Sequence, residues 1–129
     1  MVDRSEKAIL NDTLIALSNE FHPDGMFWRN NTGTAWQGEE VRAGVGQTFR
    51  VEQGMKILRN ARIITFGLPG SSDILGVLNG RFVAPEVKTR TGKQRELQIN
   101  FERAFRRAGG LYLLARSPEE ALEGLRRGA

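Results

Sequence analysis

Two apolar stretches, Asp73 to Leu78 and Arg81 to Lys88, are joined by Asn79-Gly80, and nothing else in the sequence restricts the fold so tightly. A two-residue hairpin turn that matches strand twist needs positive φ at its central residues, and Asn-Gly meets that demand at low steric cost. The two stretches are therefore expected as antiparallel neighbours. Side chains alternate across a strand, so Glu86 and Lys88 fall on one face, and pairing through the turn sets Asp73 opposite Glu86 and Val87. One end of the sheet thus gathers two carboxylates and a lysine.

The flanking segments supply helices and further strands. From about Ser5 to Phe21, the residues Leu10, Leu14, Leu17 and Phe21 recur at three- and four-residue steps as the stripe of an amphipathic helix, and Glu6 extends that stripe by one turn. A carboxylate there either gains from the helix dipole or faces something buried and positive. His22-Pro23-Asp24-Gly25 is turn chemistry, and Met26-Phe27-Trp28 reads as a short strand running into Arg29-Asn30-Asn31-Thr32-Gly33. Residues 34–54 lack periodicity and read as a loop or irregular β excursion. Arg62 to Phe66 resembles a strand, broken by the glycine, proline and serine residues of 67–72.

Lys93 to Ala108 is expected as a second helix with Leu97, Phe101, Ala104, Phe105 and Ala108 inward and a Gly109-Gly110 stop. Leu111 to Ala115 is a strand. Ser117-Pro118-Glu119-Glu120 opens a short final helix as a capping box with proline in its first position. The order predicts one α/β domain over residues 1–129, a mixed β-sheet flanked by helices.

Composition removes several chemistries. The chain has no cysteine and a single histidine, His22, which rules out disulfides, thiolate nucleophiles, cysteine or clustered-histidine zinc sites and serine-histidine triads. Any metal must be held by oxygen. No apolar run is long enough for a membrane span, and MVDRSEKAIL lacks a secretory pattern, so a cytoplasmic location is expected, the host cytoplasm if the protein is phage-encoded. The net charge is +4, and only Lys7, Lys56, Lys88 and Lys93 of the 19 basic residues are lysines. Arginine's planar fork matches phosphate oxygens in pairs, so this surface suits a polyanion such as DNA, though a basic surface without a partner has the same composition.

Two carboxylates plus a main-chain carbonyl suit Mg²⁺, with Mn²⁺ as a substitute; this leaves coordination positions for water and a substrate phosphate. A nearby ammonium can orient the water or offset developing charge, which completes the set that phosphodiester hydrolysis requires. On spacing alone the same residues also fit an exposed ion pair of little energetic consequence.

The wider pattern adds to this. Gly70-Ser71-Ser72-Asp73-Ile74-Leu75-Gly76, then Glu86-Val87-Lys88, then Gln98 in the following helix, flanked by Trp28 to Gly33 upstream and by Gly109-Gly110-Leu111-Tyr112 and Ala115-Arg116-Ser117 downstream, resembles the virus-type replication-repair nuclease domain of the PD-(D/E)XK superfamily. The resemblance covers most of the chain outside the middle excursion. It implies a restriction-endonuclease-like core and a Mg²⁺-dependent DNA endonuclease. In that resemblance Asp73 and Glu86 bind the metal with the Val87 carbonyl, Lys88 positions the attacking water and Gln98 orients groups at the site. Glu6 matches the family's first-helix glutamate and joins the metal ligands, with Glu20 as the alternative.

The sequence departs from the superfamily in two places. Ser72 stands where the superfamily has proline, and Pro85 before Glu86 points to a bulge or a sheet edge. Arg29, Asn30, Arg90 and Lys93 are candidate phosphate contacts, and Trp28 and Trp36 could stack on bases. Related domains resemble Holliday junction resolvases, which implies branched DNA as a substrate; the small size of the chain adds the expectation of a homodimer. A catalytically inactive DNA-binding module with the same fold is the alternative.

Overall fold

A computed structural model describes residues 3–128. Its elements in chain order are α1 (Glu6–Phe21), β1 (Gly25–Arg29), β2 (Gly33–Glu40), β3 (Leu58–Phe66), β4 (Ile74–Leu78), β5 (Arg81–Val87), α2 (Glu96–Arg107), β6 (Leu111–Ala115) and α3 (Pro118–Gly128). The fold is α/β. The chain divides into two compact units, one formed up to Thr32 and again from Gly67 onward, the other Gly33–Phe66.

In the first unit, four strands form a mixed sheet in the order β1-β4-β5-β6. β1 and β5 flank β4 antiparallel, whereas β5 and β6 run parallel. Asn79 and Gly80 take φ of 51° and 80°, the doubly positive turn expected of the hairpin. The helix from Ser5 is also found: Ser5 Oγ accepts the Ala8 N–H and caps α1.

The core lies on one face of this sheet. Ile9, Leu10 and Leu17 of α1 and Ala121 and Leu125 of α3 pack against Phe27, Ile74, Leu78, Val83, Val87 and Ala115, with Leu14 and Phe21 at the margin. Because β5 alternates, Val83 and Val87 belong to this core, and Glu86 and Lys88 project from the opposite face. Glu86 and Lys88 are nonetheless buried.

α2 differs from the sequence expectation. It begins at Glu96 rather than Lys93, and Leu97, Ala104 and Ala108 are exposed rather than inward, Leu97 at 57%. Two causes are visible. Gln94 is drawn off the helical path, its Nε2 donating to Tyr112 Oη (2.8 Å) and Glu102 Oε1 (2.9 Å). The helix also rests on β6 through a narrow stripe in which Phe101 stacks on Phe105 and tilts against Tyr112, with centroids 5.3 and 6.3 Å apart.

Pro85 does not mark an edge. β5 lies inside the sheet between β4 and β6. Lys88 N–H donates to Ala115 O (3.0 Å), so by alternation the backbone of residues 85 and 87 faces the β4 side. The β4 ladder ends there at Gly76↔Val83, and a proline costs no ladder bond.

The second unit is a ribbon of β2 and β3, paired antiparallel. The first third of the stretch expected as a loop or irregular β excursion, residues 34–40, is therefore a regular strand, β2, and residues 41–54 hold no strand. Each residue of β2 is exposed, so no alternation of apolar and polar residues marks it in the sequence. β3 starts earlier than Arg62 because Asn60, with φ of 53°, sits in a bulge that interrupts its pattern. Among the described residues no helix is long and apolar enough to cross a membrane.

Candidate active site

The end of β4, the end of β5 and the first turn of α2 meet on the face of the sheet opposite α1 and α3. Asp73 is positioned by backbone: Asn30 N–H donates to its carbonyl oxygen (2.8 Å), and Asn30 Nδ2 ties Ser71 Oγ (2.7 Å) and Ser72 O (2.9 Å). Asn30, expected as a phosphate contact, has its amide committed to holding the loop before Asp73. Ser72 at the superfamily's proline position is fully buried and donates to Ala84 O at 3.4 Å. The loop also lies against α2. Gly70 has φ of 83°, and a Cβ there would stand 2.3 Å from Leu97 O, so only glycine allows this approach.

The Asp73 carboxylate reaches across the hairpin, where Oδ2 accepts the Val87 N–H at 3.3 Å. In an extended strand a residue's N–H and C=O point to the same edge, so the Val87 carbonyl also lies on the Asp73 side. Glu86 is fully buried, and its Oε2 has no hydrogen-bond partner among the described residues. Burial raises its pKa from 4.5 to about 9, helped by a hydrogen bond and charge repulsion from Asp73; Lys88 opposes the shift and Glu6 adds slightly to it. The free protein at neutral pH therefore carries Glu86 as a neutral acid beside Asp73. A buried carboxyl oxygen without a partner costs about 1–3 kcal/mol, which few proteins retain without use.

Lys88 is buried beside this pair and forms no direct ion pair among the described residues. Its ammonium is near enough to stabilise the Glu86 anion yet is not consumed by it. Gln98 reaches in from α2. Its Oε1 accepts Arg95 N–H (2.8 Å), which caps the helix and fixes the amide so that Nε2 points at Glu86 Oε1 (3.4 Å). If the site cuts DNA with a metal held by Glu86, replacing Gln98 with alanine should cut turnover by about 10–100-fold with little loss of melting temperature, because Gln98 would orient that carboxylate rather than bind the metal. Unchanged turnover on labelled DNA would remove it from the site.

Other expected residues stand apart. Glu6 is exposed in the first turn of α1 and acts on Glu86 only as the weakest of its charges. Among the described residues no three acidic, histidine or cysteine side chains gather tightly enough to hold a metal by themselves, so Glu6 is not drawn in with Asp73 and Glu86. Glu20 pairs with Arg126. Arg90 pairs with Asp3 (3.0 Å) and lines a depression with Arg116 and Ser117, away from the cleft of Thr32, Ser71, Asp73, Arg95 and Gln98. Arg29 and Lys93 are exposed.

Two contributors escaped the sequence reading. Tyr112 is buried with its hydroxyl against Gln94, and desolvation together with the Glu86 charge raises its pKa, so it stays a neutral hydroxyl. Arg116 Nη1 donates to Thr89 O (2.6 Å) and Gly92 O (2.7 Å), fastening the loop after Lys88. Both residues lie in the flanking motifs, and only their partners in space reveal what they do. No family model matches the chain, and no curated protein matches it.

Oxygen donors only, one of them buried and without a partner, are what a hard divalent cation seeks. Asp73, Glu86 and the Val87 carbonyl fit Mg²⁺, with open positions left over.

Proposed function

We propose that this protein is a Mg²⁺-dependent endonuclease that hydrolyses DNA phosphodiester bonds at the site formed by Asp73, Glu86 and Lys88. The observation that carries the reading is the fully buried Glu86 carboxyl, set beside Asp73 with one oxygen that receives no donor, where a cation would bind. The resemblance to the virus-type replication-repair nucleases, with a restriction-endonuclease-like core, supports the same assignment of roles.

Bound there, Mg²⁺ would polarise the phosphoryl oxygen and lower the pKa of a water molecule. The chain's own residues do the rest. Asp73 and Glu86 provide the negative charge, and the Val87 N–H holds Asp73 in place. Gln98 steers Glu86. Lys88 presents a compact ammonium that orients the attacking water and offsets charge building on the phosphate. Arg95, which lines the cleft, supplies positive charge for the DNA backbone. Branched DNA cut by a homodimer is part of the proposal, because a two-fold dimer offers two equivalent centres to a symmetric junction.

Incubating the protein with labelled duplex, splayed and four-way DNA in Mg²⁺, Mn²⁺, Ca²⁺ or EDTA tests this. Cleavage is expected with Mg²⁺ or Mn²⁺, and binding without cleavage with Ca²⁺, whose looser coordination activates water poorly. Equal cleavage in EDTA would refute the mechanism. Binding without cleavage in every metal would favour an inactive DNA-binding module.

A further inference from the structure

The ribbon Gly33–Phe66 carries more basic than acidic side chains. It contains Arg42, Arg50, Lys56, Arg59 and Arg62 against Glu39, Glu40 and Glu52. Lys56 pairs with Glu40 at 3.6 Å. Among the described residues Arg42, Arg50 and Arg59 have no ion-pair or hydrogen-bond partner for their side chains.

The register sorts these residues onto faces. Gln37 pairs with Arg62 and Glu39 with Arg59, because β3 carries one extra residue between the two pairs. Without that bulge, arginines three positions apart would point to opposite faces; with it, both join Gln37 on one face. The bulge is built in: Asn60 takes a positive φ, and a Cβ on the facing Gly38 would stand 3.0 Å from Arg59 O. Arg62 Nε and Nη2 donate to Gln37 Oε1 at 3.0 and 2.6 Å, which confirms that these two share a face and leaves Arg62 pre-oriented. The other face carries the cross-strand pair Trp36 and Ile63.

We propose that the face of this ribbon bearing Gln37, Arg59 and Arg62 grips the phosphate backbone of duplex DNA. The proposal rests on the nuclease reading and names a second contact for its substrate. A two-stranded ribbon has the width of the DNA major groove and can lie along it. Duplex is favoured over single strand because Trp36, at 64% the most exposed aromatic residue of the ribbon, is on the face away from the arginines and leaves only Phe66, at 40%, on theirs. Single-strand platforms instead combine several stacking residues with basic ones on one surface. Glu39 is the one acidic group on the gripping face and opposes the contact.

Fluorescence anisotropy of a labelled duplex in Ca²⁺, over a range of KCl, tests it. Arg59→Ala with Arg62→Ala should weaken binding at least about tenfold and reduce the slope of log affinity against log salt by about 2. The double lysine variant should keep the slope, because charge is conserved. Glu39→Gln should tighten binding roughly threefold, a gain that misfolding cannot produce. Wild-type affinity and slope in the double alanine variant, with wild-type protein cleaving DNA, would overturn the ribbon's role and leave the nuclease standing. A change in oligomeric state without a change in DNA affinity would overturn it too, making this face a contact between copies. Wild-type protein that neither binds nor cleaves DNA would overturn both readings.

Discussion

Glu86→Gln should fold, lose DNA cleavage by at least about 10³-fold, and resist alkaline destabilisation better than the wild-type protein. The first part follows from isostery: Glu86 is protonated at neutral pH, and glutamine is a neutral side chain of nearly the same shape. The pH dependence follows from linkage. Glu86 has its pKa raised from 4.5 to about 9 in the folded protein. Above pH 4.5 the unfolded chain releases this proton and the folded protein does not, so the folded state binds more protons and stability falls as pH rises toward about 9.

Glutamine has no proton to lose. In EDTA the melting temperatures of the two proteins should converge near pH 4.5, and the variant should lead by a margin that widens up to pH 9. Mg²⁺ should reverse the order by stabilising only the wild-type protein, since ligand binding to the folded state raises its stability. Parallel melting profiles across this range would show that Glu86 is not held as a buried acid.

Lys88→Ala should reduce cleavage on a similar scale, and Lys88→Arg should fail to restore it. Lys88 is 6% exposed, in a space where a planar guanidinium cannot replace a compact charge without displacing its neighbours. DNA affinity in Ca²⁺ should hold for both variants, because the phosphate contacts proposed here come from other residues. Restored turnover in the arginine variant would reduce Lys88 to a source of diffuse positive charge.

The hairpin, the first helix and the meeting of Asp73 with Glu86 and Val87 were legible because local rules dictate them. Asn-Gly fixes the turn, alternation fixes the faces, and Ser5 marks where α1 starts. α2 departs from its periodicity where tertiary contacts override it: Leu97 and Ala104 lie on the apolar stripe, but the helix packs on the sheet mainly along β6, and Tyr112 draws Gln94 out of the first turn. The Tyr112 and Arg116 contacts were not legible, since each joins segments distant in sequence. β2 was hidden for a different reason, because a strand exposed on both faces carries no hydrophobic period. The bulge that aligns Arg59 with Arg62 depends on Asn60 adopting a left-handed conformation, which no residue pattern announces.

A divalent cation is expected to take the place of the proton on Glu86. Calorimetric titration of Mg²⁺ into the protein at pH 7.5, in two buffers of different ionisation enthalpy, measures that exchange directly. Close to one proton should be released per Mg²⁺ bound by the wild-type protein, and Asp73→Asn should bind no Mg²⁺. Binding without proton release, or equal binding by Asp73→Asn, would contradict it.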